Sequence, residues 1–394
     1  MALTLTLLLI SLLAVGMAIF LRTLRVPGYR ILSGLLIGIL LGPTILGRIA
    51  PRQWESTFAG GVETRDALRE MDRSHAAWLL ANQTAGTSEE IITEEIIAHE
   101  LAREELADIE EMQRHQHQTP WMVLTLICAA LASVCASRTS SSQPIQRPAV
   151  HTDGISTGVW LATIPILGVV LIADWLGYSP LDPEILIVAA AVSVGPRALG
   201  YQEMKRSSEV IPQSNEWLPN AALTATLISG LVVSYAAFSD IRSAWLILAV
   251  ILLGIPRNGW LAVHRKICRV DLELLAVPAL AAMSVIMIEI VLDWMLIPVI
   301  AICILGGDGR WFGAVIGIRL RGGATMNQAY RVAFSLLETT IPQLAVTATA
   351  TACGAIDGTW TIALLASIAL VELSRPMRGW MEKQLDSDEQ EMSA

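Results

Sequence analysis

Eleven apolar segments recur along the chain, at about 3–20, 28–47, 121–136, 157–177, 185–203, 217–238, 243–256, 273–291, 294–320, 332–353 and 358–374. A spanning helix wants about 20 such residues, and several of these segments fall short of that. Charged residues make up only 16% of the chain and its mean hydropathy is +0.55, whereas soluble domains carry about a quarter charged residues. The expected fold class is therefore all-α, a polytopic membrane protein of about 11 transmembrane helices. The opening run, MALTLTLLLISLLAVGMAIFLRTLRVP, has no charged n-region and no A-x-A cleavage site, and is read as a retained spanning helix.

Basic residues then orient the spans. Arg22, Arg25 and Arg30 fall between the first two segments, and Arg138 and Arg147 between the third and fourth. Lys205, Arg206, Arg257, Arg265, Lys266, Arg269, Arg319, Arg321, Arg331, Arg375, Arg378 and Lys383 fall in alternate connections after that. All share one side if the amino terminus lies outside and the carboxyl terminus is cytoplasmic. The expected location is the cell membrane, multi-pass.

One connection departs from this pattern. It runs from Arg48 to Thr119, and loops this long are largely exempt from the charge rule. Its centre predicts a helix over 88–117, with Ser88 as N-cap, Glu89 and Glu90 in the first turn, and Ile92, Ile96 and Leu106 at helical spacing. Ten carboxylates against Arg103 and Arg114 give this stretch −8 of the chain's −9. Such a helix is repelled by anionic headgroups, and serves as a solvated face or as a docking surface for a protein partner. His99, His115 and His117 are not assigned a metal, since no Cys joins them and the segment reads as a helix end.

The resulting domain organisation is residues 1–50 (two spans), 51–120 (an extramembrane acidic insertion), 121–380 (the membrane core) and 381–394 (a short acidic tail). Five scattered cysteines make neither a C-x-x-C nor a metal spacing. No G-x-G-x-x-G or Walker sequence is present, which argues against a nucleotide-driven pump, and no enzyme activity, cofactor or nucleic-acid partner is expected. Gly34, Gly38 and Gly42 share one helix face, as do Gly309, Gly313 and Gly317. Small residues at this spacing let helices approach closely, and are read as packing.

Chemistry concentrates where a span is interrupted. The segment from Ile185 is cut by Gly195-Pro196, with Arg197 directly behind the cut. Proline removes one rung of the helical ladder, and the freed backbone groups must face protein or a wet cavity. Broken helices of this kind form ion sites in secondary transporters. A second interruption is expected at Pro342, with Glu338 and Thr339 just before it and Thr347, Thr349 and Thr351 after it. Ionisable groups at bilayer depth are functional by default. Glu338 is thus either the group that exchanges a proton for a cation or the partner of Arg197 or Arg310 in an ion pair that locks the core. Arg197 and Arg310 either hold a substrate anion or stand structurally in place of a bound cation. Glu289, Asp293 and Asp174 sit near helix ends, where water suffices.

Several of these motifs resemble the cation:proton antiporter, or sodium/hydrogen exchanger, family. LRVPGYRILSGLLIGILLGPTILGRIAP resembles its opening, with Gly42-Pro43-Thr44-Ile45-Leu46-Gly47 matching G-P-x-x-L-G. AAAVSVGPRALG is similar to its first unwound helix, ILGGDGRWFGAVIGIRL to a helix carrying a basic residue where Arg310 stands, and SLLETTIPQLAVTATATACGAID to its second unwound helix. The resemblance implies inverted repeats, two broken helices that cross, a homodimer, and exchange of Na+ or K+ for protons. It places Ser193, Arg197, Thr224, Arg310, Glu338 and Thr339 around the ion path, with Gly195, Pro196 and Pro342 at the breaks. The chain departs from the family at AALTATL, where Thr224 and Ala225 replace an Asn-Asp or Asp-Asp pair. That departure keeps a second reading open, a non-transporting subunit or regulator that binds a partner through its acidic helix.

Overall fold

A computed structural model describes residues 2–60, 62–85, 88–136, 154–194, 217–236, 272–290, 296–322, 326, 329, 330, 333, 340–374, 376, 377 and 380. All regular structure among them is helical. The helices are α1 (Ala2–Thr23), α2 (Tyr29–Leu41), α3 (Leu46–Ile49), α4 (Pro51–Trp54), α5 (Val62–Ala85), α6 (Glu89–Ala136), α7 (Gly154–Trp175), α8 (Pro183–Ser193), α9 (Trp217–Ala236), α10 (Leu272–Val285), α11 (Leu296–Gly322), α12 (Thr340–Ala352) and α13 (Gly358–Leu373). A π-helical turn, Glu55–Ala59, follows α4.

Ten of the eleven apolar segments coincide in whole or part with these helices, and 243–256 lies outside the described residues. Length narrows the set. Among the described residues, four stretches, Leu5–Thr23, Tyr29–Ile49, Ile155–Trp175 and Leu296–Leu320, are long and apolar enough to cross a membrane, while Thr119–Ala132, Pro183–Ser193, Thr224–Ala236, Leu274–Val285 and Gly358–Leu373 are apolar but shorter. The long helices keep large side chains such as Leu5, Leu8, Leu12, Leu167 and Leu171 exposed. In water that surface is costly, and in lipid it is not.

The packing has two sides that share α12. One apolar cluster joins α1, α2, α6 and α10 to Ile341, Leu344, Ala345 and Ala348 of α12. The other joins α7, α8, α9, α11 and α13 to Val346 and Ala350 of the same helix. Every residue from Thr340 to Ala350 is accordingly buried. Each side also contains a glycine-laddered helix pressed on a helix with an internal proline. A Cβ built on Gly34 of α2 falls 2.2 Å from the Pro278 carbonyl oxygen of α10, and one on Gly313 of α11 falls 2.2 Å from the Trp160 carbonyl oxygen of α7. Gly309 and Gly317 extend the second contact, at 3.1 Å from Pro165 Cα and 2.7 Å from Thr157 Cα.

The Gly42-Pro43 motif ends α2 and clamps the segment that follows α10. Thr44 Oγ1 accepts the Ile290 N–H at 3.0 Å, and Arg48 pairs with Glu289 at 3.2 Å on the surface.

The insertion differs from expectation in two respects. Helix α6 is uninterrupted for 48 residues, from Glu89 through Pro120 to Ala136, so the acidic helix and the third apolar segment are one element. His115 and His117 therefore lie within a helix and not at its end. The second difference is α5, a helix with no apolar signature, which returns along α6 as a hairpin. Arg65 ties the hairpin's base, reaching Glu55 at 3.1 Å and Glu110 at 2.8 Å, and Thr64 donates to Gln113 at 2.7 Å. Burial alone lowers the Arg65 pKa, but hydrogen bonds and charge from Glu110 and then Glu55 outweigh it and leave the pKa raised. Higher up, His75 stacks on His99 with ring centroids 3.8 Å apart, and His99 Nε2 lies 3.4 Å from Asp72.

Candidate functional site

Helix α8 is positioned by its own first turn. Asp182 accepts the Glu184 N–H at 3.0 Å, and Pro183 occupies the first helical position, where its missing N–H costs nothing. Eleven residues rise about 16 Å, roughly half of a hydrocarbon core of about 30 Å. All side chains from Ile185 to Val194 are buried. The described helix stops at Ser193, and Gly195, Pro196 and Arg197 lie outside the described residues.

Ser193 is fully buried and its Oγ lies 2.8 Å from Ser229 Oγ on α9. Ser193 Oγ is also 3.0 Å from the Ala190 carbonyl, and Ser229 Oγ 2.9 Å from the Ala225 carbonyl. Two hydroxyl protons serve these three contacts, so one acceptor waits at any moment. Ser193 was legible as the last polar residue before the break. Ser229 was missed, although it stands one helical turn after Ala225.

Arg310 enters a second polar group. It is 2% exposed, midway along α11, and its Nη2 donates to Gln343 Oε1 of α12 at 3.0 Å. Gln343 Nε2 reaches Ser367 Oγ of α13 at 3.4 Å. The same α12–α13 seam carries Thr351 and Thr361, 2.9 Å apart, and a hydrogen bond from Thr340 to Glu372. Thr347, Thr349 and Thr351 each donate to the carbonyl one turn back, at 2.8, 2.8 and 2.9 Å. The protons of Thr347 and Thr349 are thereby used within the helix, while Thr351 and Thr361 share two protons among three contacts. Gln343 is the centre of this group and sequence reasoning missed it. Its signal was an amide inside an apolar run, directly after Pro342.

The described hydrogen bonds leave Ser193 and Arg310 in separate groups. Thr224 is half-buried on α9, and Pro342 is buried in the first described turn of α12, which continues past it to Ala352. Glu338 and Thr339 lie outside the described residues, so the junction before Pro342 and the meeting of Arg197, Arg310 and Glu338 lie there too. Ala225 is fully buried in an apolar cluster with Leu161, Ala162, Ala314, Val315 and Ile318. Among the described residues, no group of three or more His, Cys, Asp or Glu side chains is disposed to hold a metal.

Chemically, the first group offers neutral oxygens, which suit a desolvated monovalent cation. The second offers a fixed guanidinium, which repels a cation nearby and favours an anion or carboxylate. No protein-family model matches this sequence, and no curated protein does.

Proposed function

We propose that this chain is a secondary active transporter of the cation:proton antiporter type, exchanging Na+ or K+ for protons across the cell membrane. In this reading about eleven helices cross the bilayer as inverted repeats, with the amino terminus outside, the carboxyl terminus cytoplasmic, and two copies forming a dimer. The segments 185–203 and 332–353 are the broken, crossing helices. The observation that carries it is α8, a helix of half-membrane length, buried from Ile185 onward, whose last residue, Ser193, meets Ser229 at 2.8 Å. Short discontinuous helices ending on polar groups are how such transporters expose backbone and hydroxyl oxygens to an ion. Arg197, Thr224, Arg310, Glu338 and Thr339 complete the path, and Glu338 is the carboxylate assigned to the proton step.

One observation favours a second reading. The position where the family carries its coupling acid is Ala225, sealed among apolar side chains. A non-transporting subunit that keeps the fold and binds a partner through residues 88–117 needs no acid there. Purified protein in liposomes, with a pH-sensitive dye inside, separates the two. Sodium- or potassium-dependent collapse of a proton gradient, abolished by Glu338→Gln, is the expected result. A folded protein that responds to no monovalent cation overturns exchange and leaves the second reading.

A further inference from the structure

The acidic limb of α6 carries an apolar patch that nothing among the described residues covers. Successive helical residues are about 100° apart. On that wheel Ile92, His99 and Leu106 lie on one side, half-buried, and His99 contacts α5 through Asp72 and His75. Ile97 and Leu101 lie on the opposite side, 53% and 63% exposed, with Met112 further along at 54%. The same stripe carries exposed carboxylates at both ends, Glu90 and Glu94 before the pair and Glu104 and Asp108 after it.

Lipid does not account for this exposure as it does for the leucines of α1. The stretch bears −8, which an anionic bilayer surface repels. A second copy of the stripe brings the same charge and is repelled likewise. The occupant whose chemistry fits is apolar in the middle and cationic on both sides.

We propose that the acidic limb of α6 docks a basic amphipathic helix of a partner protein, with its apolar residues on Ile97 and Leu101 and its lysines or arginines against Glu90, Glu94, Glu104 and Asp108. This extends only the partner-binding half of the second reading above, and holds whether or not the bundle carries ions. Helix-on-helix recognition of this kind uses two or three apolar anchors at one-turn spacing, with flanking charges setting orientation.

The test uses the full chain in phosphatidylcholine nanodiscs and three fluorescent peptides read by anisotropy. One is a Lys/Leu helix with a single apolar face, the second has the same composition scrambled so that no face forms, and the third has Glu for Lys. The expected result is saturable binding of the first, tenfold or more weaker binding of the second, and none of the third. Leu101→Asp and Glu104→Lys each weaken the first peptide by tenfold or more with helical content unchanged, while Leu80→Asp, exposed on α5, leaves it unaltered. Equal binding of the scrambled peptide reduces the patch to unspecific charge and overturns the proposal. So does an unaffected Leu101→Asp variant, disulfide cross-linking between copies through Ile97→Cys, or binding of the limb to phosphatidylserine vesicles. The dye assay for exchange reads a separate property, so either result stands without the other.

Discussion

Gly313 is where a single atom decides whether two helices meet. An added Cβ falls 2.2 Å from one backbone oxygen of α7 and 2.9 Å from the carbonyl carbon, and backbone cannot rotate away as a flexible side chain can. Gly313→Ala is expected to cost about 1–3 kcal/mol as an overpacked contact. Gly168→Ala, with nothing within 4 Å of the new atom, is expected to be neutral or to gain up to about 1 kcal/mol of helix propensity. Thermal unfolding of the two variants in one detergent compares them directly. Gln343 decides a polar balance in the same way. Gln343→Leu removes the acceptor that Arg310 reaches at 3.0 Å, and a hydrogen bond to a charged group contributes about 1.5–3 kcal/mol. Gln343→Glu retains the acceptor oxygen, so it is expected to unfold at higher temperature than Gln343→Leu.

Among the elements, the α5–α6 hairpin is the one that a hydropathy reading cannot find. Its α5 seam runs Thr64, Leu68, Met71, His75, Trp78 and Asn82, all buried or half-buried at alternating spacings of four and three. Half of those residues are polar, so the periodicity is present in position but faint in hydrophobicity. The glycine ladders and the end of α2 at Gly42 were legible because each rests on one residue type at one spacing. Ser193 and Arg310 were legible for a related reason, as polar side chains interrupting apolar runs. Gln343, Ser229 and Ser367 were not, since their roles depend on which helices become neighbours. The hairpin's base gives a prediction at this scale. Arg65→Ala takes from Glu55 and Glu110 their shared partner and leaves Glu55 only Arg69, at 3.1 Å, a loss of charge-assisted hydrogen bonds expected to cost about 1.5–3 kcal/mol. Arg52→Ala, whose side chain is 80% exposed beside Asp66, is expected to change stability by less than about 1 kcal/mol. Limited proteolysis within α5 reads both. Arg65 has its folded pKa above the unfolded value, so its contribution is fully present below the unfolded arginine pKa, throughout the neutral range.

At the scale of the whole molecule, the proposed membrane body and the α5–α6 hairpin would place exposed side chains in two environments. Nitroxide labels at Leu8, Leu12, Leu167 and Leu171, all exposed on apolar helices, are expected to be relaxed by oxygen, which concentrates in lipid. A label at Leu101 is expected to respond instead to a water-soluble nickel complex. The reverse pattern contradicts the assignment of a membrane body with a solvated hairpin. Helix α6 runs through both, reaching from Glu89 into the buried contacts of Trp121, Leu126 and Ala132 without a break. Leu101 and Trp121 are thus about 30 Å apart on one stiff shaft, and the inner part of that shaft bears on α12, the helix that holds Gln343. A protein held at the outer end would thus grip a shaft whose inner part packs against the bundle's centre, and Pro120, which has no N–H to give the helical ladder, stands between the two parts.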